Sequence, residues 1–456
     1  MNKKAVAILL AMFLTTVLVI TGCSSSSNNA ENGDTNTDTD TNTNNEPEQD
    51  ANNEEVEEKT INFMHLWPEG SSKQHYDIVE SIIAEFEENN PGVTVEPEIL
   101  GNEQYKEKLK VLAAGNELPD VGMTWSAGFL QPYVEGNKFT PLDDLLNDGL
   151  SDLFVPGTTN AYAVDGATYG LPLELNIAPV YYNKAIFDEY GLEVPKTLDE
   201  FKNVVQTLAD NGVTPVTVGN KDRWTGSLWY MYLADRFGGP ETLTNAINRT
   251  GTFEDPALIE AAAEIQELVD MDAFVNGFNG LSNDEAKAYF LNEQAAMFLM
   301  GTWDLPEWTT NEDNPQEFRD SIGYFKFPTV EGGEGDIDSF VGGPGVGLFV
   351  AEESPVKEEA KAFVKFFVEK WGEVSVTDAG VIPATKVSTE GTELPQMYID
   401  ILNDLGSASN ITLYADVQMS PAVAEVHLNQ IQALFGGEVT PEEFAKAQEE
   451  ALAAEE

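Results

Sequence analysis

The sequence predicts an α/β fold divided into two lobes, and three features carry that prediction. Strand-like and helix-like segments alternate from about residue 60 onward. The stretch from about Lys59 to Glu456 is long for one hydrophobic core and should split in two. Extended segments marked by Pro or Gly, at 169–187 and 323–350, separate a first α/β block from a mainly helical one and lead back again. Two or three such crossings suit lobes around a cleft better than domains strung in a row.

The elements follow in order. Lys3 and Lys4 precede an apolar run from Ala5 to Ile20, and the small residues Thr21 and Gly22 lead to Cys23. A basic start and an apolar middle describe an export signal at 1–22. The run falls short of the roughly 20 residues of a bilayer span. Residues 23–58 are Ser, Asn, Thr, Asp and Glu with Val56 as the one large apolar residue, a composition that predicts a disordered acidic tether. As a flexible coil it reaches roughly 30–36 Å.

The folded part opens with "TINFMHLW", a strand. Tyr76, Val79, Ile82, Ile83 and Phe86 then recur at helical spacing until Asn89-Asn90-Pro91-Gly92. "VTVEPEIL" reads as extended, "EQYKEKLKVLAAG" as a helix closed by Gly115, and "LPDVGMTW" as a buried strand. Residues 169–187 read as one extended crossing. Helix starts stand at Thr197 with Glu200, Ser282 with Glu285, Ser354 with Pro355, and Thr440-Pro441 with Glu443. "TPVTVG" is a strand, while 256–271 and 282–300 read as helices. A helix at 355–370 and a helical tail complete the chain.

Composition narrows the function. Net charge is −55, and 24–58 supplies only eleven acidic residues, so most of the acidity belongs to the folded part. That argues against nucleic acid or an anionic membrane surface as partner, and reads as a solvated surface suited to a saline or alkaline habitat. Cys23 is the only cysteine, so the exported part has no disulfide and must rely on core burial. No nucleophile elbow, zinc-binding helix pair, P-loop or dinucleotide fingerprint is present, and His65, His75 and His427 lie far apart. The expectation is no enzyme, no cofactor and no metal. "GGPGVG" at 342–347 lacks the Lys and helix start of a phosphate loop and reads as a crossing.

What the sequence does offer is tryptophan beside polar residues: "HLWPEG", "TWSAG", "KDRWTGSLWY" and "GTWDLPEW". A sugar presents one apolar C–H face and a rim of hydroxyls. A flat indole covers the face while carboxylates and amides engage the rim, and each polar group left unpaired costs roughly 1–3 kcal/mol. Trp67, Trp125, Trp224 and Trp303 follow strands or open helices, where α/β sheets hold their ligands. Trp229, Trp308 and Trp371 are expected in cores or on helix faces.

In this light the chain resembles the lipid-anchored family 1 extracellular solute-binding proteins of carbohydrate ABC importers, the group with maltose- and raffinose- or multiple-sugar-binding members. The resemblance rests on "FEENNPGVTVE", "AAGNELPDVGMTW", "GLPLELNIAPVYYNKAIFDEYGLEVPKTLDEF", "FLNEQAAMFLMGTWDL", "FKFP" and "SFVGGPGVGLFVAEESPVKEEAKAFVKFF", in family order from about 60 to 370, with "GVIPATK" a looser match beyond. It implies a periplasmic-binding-protein-like fold of type II, with a hinged cleft between lobes expected at 59–172 plus 330–372 and at 173–329 plus 373–456. It also implies capture of an oligosaccharide and delivery to permease subunits by a monomeric receptor. The ligand contacts it implies are Trp67, Glu69, Trp125, Asn176, Trp224, Trp303 and Asp304. "VITGC" resembles a lipobox, which makes Cys23 the acylated first residue, on the outer face of a Gram-positive-type membrane. Two alternatives remain: the same fold binding a polyol, glycerol phosphate or peptide, and a secreted glycosidase using Glu69 and Asp304 as paired carboxylates.

Overall fold

The computed structural model describes residues 58–386 and 391–455. The expected export signal at 1–22, Cys23 and the tether up to residue 57 lie outside the described residues.

The strands in chain order are β1 (Lys59–His65), β2 (Val93–Ile99), β3 (Val121–Thr124), the hairpin β4 (Ala163–Val164) and β5 (Ala167–Thr168), β6 (Leu171–Pro172) and β7 (Leu175–Ile177). There follow β8 (Val180–Asn183), β9 (Thr214–Thr217), β10 (Ala295–Leu299), β11 (Ile322–Phe325), β12 (Ser339–Pro344), β13 (Gly347–Val350) and β14 (Asn410–Thr412). They form three main sheets. The first lobe holds the order β2-β1-β3-β13-β6, with β1 parallel to β2 and β3, and β13 antiparallel to β3. The second lobe holds β11-β8-β10-β9, with β8 antiparallel to both neighbours. The third sheet, β14-β12-β7, joins the lobes.

Each lobe sheet buries its own core. Helix α1 (Lys73–Asn89) carries Ile78, Val79, Ile82, Ile83 and Phe86 inward, the spacing that the sequence predicts. It packs with the helix Lys357–Val374, where Phe363 meets Phe63 and Phe86 edge-on at 5.4 and 5.1 Å. Helices α2 (Asn102–Gly115) and α3 (Ala127–Glu135) complete the β-to-α succession of this lobe. The second core surrounds the helix Trp224–Gly238, which is buried from Thr225 to Arg236. Arg236 survives there because it donates to the carbonyls of Phe327, Pro328 and Ser339 and pairs with Asp235. Trp229, Trp308 and Trp371 are all buried in cores.

Three strands carry the chain between the lobes. Leu173 sits in the first core and Ala178 in the second; Val341 sits in the second core and Val346 in the first. A third passage runs beside them, where Leu175 N–H donates to Ile382 O and Ala384 N–H to Leu173 O, both at 2.9 Å. "GGPGVG" is this crossing. A Cβ at Gly342 would strike the Asn176 carbonyl, and one at Gly345 would lie 2.7 Å from Asn176 Nδ2, so the strands approach only through glycine. Val330 packs on the second core, while Val374, Ala379, Val381 and Ala384 belong with the first.

Local signals and structure mostly coincide. Capping boxes form at Thr197/Glu200, Ser282/Glu285 and Thr440/Glu443. Three departures have physical reasons. Residues 282–300 are not one helix: it ends at Leu291, and Ala295–Leu299 becomes the fully buried strand β10. A short continuous apolar run has no period to tell strand from helix. The extended stretch 169–187 stops at Asn183, whose side chain accepts the Ala185 and Ile186 N–H groups and starts a helix at Lys184. The helix expected from Ser354 begins at Lys357, with the Ser354 hydroxyl accepting Val356 N–H at 3.2 Å instead of capping it.

Candidate functional site

The carboxyl ends of the lobe strands face a cavity of about 320 Å³ beside the crossing strands. The turn after β1 supplies Trp67, the start of α2 supplies Lys106, and the turn after β3 supplies Trp125. From the second lobe come Asp222 and Trp224 after β9, Trp303 and Asp304 after β10, and Tyr414 after β14. The crossing contributes Glu174 and Asn176. This is the place that α/β topology reserves for ligands.

All the contact residues expected from sequence line this cavity except Glu69, which is exposed and outside it. Glu69 and Asp304, the carboxylates named for a glycosidase, therefore do not share the cavity. Trp125 is part-buried, edge-on to Phe129 at 5.0 Å, with Lys106 Nζ 5.0 Å from its ring centre. Trp303 stands edge-to-face between Trp224 at 5.8 Å and Tyr414 at 5.9 Å. Trp67 is only 5 % exposed, because it lies flat on Trp371 at 4.7 Å and 7° and leans on His75. Its ring is largely committed to the first core. Asn176 accepts from Thr302 Oγ1 at 2.8 Å and donates to Glu174 at 3.2 Å, while Glu174 meets His75 Nε2 at 3.0 Å. This chain of contacts fastens the crossing to both lobes.

The lining is acidic and desolvated. Burial raises the pKa of Asp304, and the Lys287 ammonium, 3.0 Å from Oδ1, opposes the rise. Burial pulls Lys287 down, but the carboxylates of Asp304, Glu307 and Asp284 outweigh it and leave the group raised. Asp222 and Asp416 are raised chiefly by burial, with Lys106 acting against each. Several polar atoms of the lining have no hydrogen-bond partner: Trp224 Nε1, Asp304 Oδ2, Tyr414 Oη, Asn102 Oδ1 and Asn283 Oδ1. Buried groups left this way cost roughly 1–3 kcal/mol each, which a polar ligand would recover. Among the described residues, no group of three or more His, Cys, Asp or Glu is arranged to hold a metal ion.

Sequence reasoning missed Lys106, Glu174, Asp222, Lys287, Tyr414 and Asp416. The rule that sites follow strands would have found Asp222, next to the "TPVTVG" strand. Lys287 lies one turn into a helix whose capping box was legible. Tyr414 and Asp416 follow β14, a three-residue strand recognisable only through its pairing with β12.

Two α/β lobes closing on a polar, aromatic cavity at their crossing strands are the build of a solute-binding protein. Residues 70–370 match the bacterial extracellular solute-binding proteins, and the chain belongs to that family. It is 27% identical over 296 residues to a multiple sugar-binding protein of Streptococcus mutans, covering 63% of this chain and 67% of that one. An ABC transporter extracellular-binding protein of Pyrococcus horikoshii is 24% identical over 309 residues, 66% of this chain but only 65% of its own length. Among solved structures, one from a study of xylan utilization by Caldanaerobius polysaccharolyticus superposes with a TM-score of 0.81 at 32% identity, covering 86% of this chain and 99% of that one. A chitin oligosaccharide binding protein gives 0.80 at 26% identity, covering 87% and 98%. Among the described residues, no helix is long and apolar enough to cross a membrane.

Proposed function

We propose that this chain is the receptor of a carbohydrate ABC importer: it captures an oligosaccharide by lobe closure and hands it to permease subunits without chemical change. The observation that carries this reading is that one cavity is lined both by indoles and by residues whose buried donors and acceptors have no partner. Trp125 offers a surface from the first lobe, and Trp224 with Trp303 from the second, so a bound sugar bridges them and favours the closed state. Asn176 and Asp304 take hydroxyls, and Trp67 supports the wall. The acidic lining disfavours an anionic solute such as glycerol phosphate. The family and the sugar-binding names of the relatives support the same class. The chain crosses between lobes near 173–177, 342–346 and 381–384, which serve as the hinge. Upstream, residues 1–22 direct export, Cys23 carries the lipid, and 24–58 tethers a monomeric receptor outside the membrane.

Titrating neutral oligosaccharides against intrinsic tryptophan fluorescence tests the proposal. Saturable quenching or enhancement by at least one sugar, with the sugar recovered intact, is the expected result. Silence across the panel, or steady release of reducing ends, defeats it.

A further inference from the structure

Lys287 makes a contact that its own lobe does not explain. It sits on the helix Asn283–Leu291 of the second lobe, is 6 % exposed, and lines the cavity. Its Nζ donates to Asp304 Oδ1 at 3.0 Å and, across the cleft, to the Ser71 carbonyl at 3.2 Å. Ser71 belongs to the first lobe, in a tight turn where the N–H groups of Ser71 and Ser72 both donate to Pro68 O. The other oxygen of the same carboxylate, Asp304 Oδ2, has no partner.

We propose that Lys287 is the residue that couples ligand capture to closure, a latch whose strength depends on the sugar at Asp304; this rests on the oligosaccharide reading above. When the lobes part, Lys287 keeps Asp304, because both belong to the second lobe, and loses Ser71. Of the two bonds that Lys287 makes, only the one to Ser71 differs between closed and open, and only such differences shift the equilibrium. A hydroxyl donated to Asp304 Oδ2 completes the carboxylate and displaces water from the cleft. In the drier cavity the charge-assisted bond from Lys287 to the Ser71 carbonyl strengthens. With the lobes apart, water reaches the Lys287 ammonium and the Ser71 carbonyl and replaces the bond between them. Asp304 thus has two tasks: one oxygen senses the sugar, and the other aims the ammonium across the gap.

The test compares the full chain with Lys287→Met and Lys287→Gln, using whichever neutral oligosaccharide the wild type binds in the titration above. Gln keeps an amide donor for Asp304, so that variant does not strand a buried carboxylate, but it is too short to bridge to Ser71. Two quantities are read: the radius of gyration by small-angle scattering with and without sugar, and the sugar dissociation rate by stopped-flow tryptophan fluorescence. Both variants should lose the sugar-induced contraction and release sugar at least tenfold faster, with association little changed. Wild-type contraction and release in Lys287→Gln would overturn the latch while leaving the binding reading intact. A wild-type chain that binds no sugar would defeat that reading and the latch with it.

Discussion

Gly301 tests the aromatic wall without removing an atom from it. The residue has extended backbone, φ −70° and ψ 161°, which alanine adopts without strain. Yet a Cβ there would fall inside the van der Waals envelope of the Trp303 ring, against Cζ3, Cη2 and Cε3. Trp224 and Tyr414 stand edge-on to the ring at 5.8 and 5.9 Å and brace it on two sides, which leaves it the cavity to move into. Gly301→Ala must therefore push Trp303 out of its place. Losing two edge-to-face pairs at roughly 0.5–1.5 kcal/mol each predicts a stability loss of about 1–3 kcal/mol. Displacing a stacking face should weaken oligosaccharide binding about tenfold or more, equivalent to ~1.4 kcal/mol. The decisive assay is a double-mutant cycle with Trp303→Ala, followed by chemical denaturation and by fluorescence or calorimetric titration. Once the indole is gone, the three atoms nearest the added methyl are gone with it, so Gly301→Ala should cost less than about 0.5 kcal/mol in that background. Additive losses would show that Gly301 acts through something other than Trp303, and the account of this wall would fall.

Three further outcomes follow from other parts of the molecule. A Cβ at Gly128 in α3 would collide with the carbonyls of Gln418 and Met419 in the second lobe, so Gly128→Val should hold the lobes apart. It should cost tenfold or more in sugar affinity with little change in unliganded stability, and sugar-driven contraction as in the wild type would contradict this. His65 and His427 are buried neutral, and burial lowers each pKa to about 4. The unfolded chain then holds more protons between pH 6.5 and 4, and these histidines withdraw stability as pH falls through that window, by up to ~1.4 kcal/mol per pH unit each. Urea unfolding at pH 7, 6 and 5 should show a shallower decline for His427→Gln; an unchanged slope would place the loss elsewhere. Finally, Cys23→Ser should release a sugar-binding chain into the medium, and cell fractionation that still finds it on the membrane would favour an uncleaved anchor.

The fold was legible where its causes are local. Helix starts at Thr197, Ser282 and Thr440 are written in residues three apart, and the structure uses them as written. Strand β10 was not legible, because Ala295–Leu299 is apolar throughout and owes its form to the neighbours β8 and β9 rather than to any period of its own. Tyr414 escaped notice for the same reason at longer range, since its approach to Trp303 depends on β14 pairing with β12.

The tryptophans show how far pattern reading carries and where it stops. Position after a strand brought Trp67, Trp125, Trp224 and Trp303 to one cavity, a consequence of topology that the sequence order already contains. Position does not tell what else a ring touches. Trp67 lies flat on Trp371, a residue distant in sequence that the helix Lys357–Val374 carries into the first core. The two indoles, assigned from sequence to opposite roles, form one stack, so a substitution at Trp67 would disturb core and cavity together. Trp303 touches rings that line the cavity with it, Trp224 and Tyr414, and also packs on the buried clusters of the second lobe, so substitutions on this wall need stability and ligand affinity measured side by side.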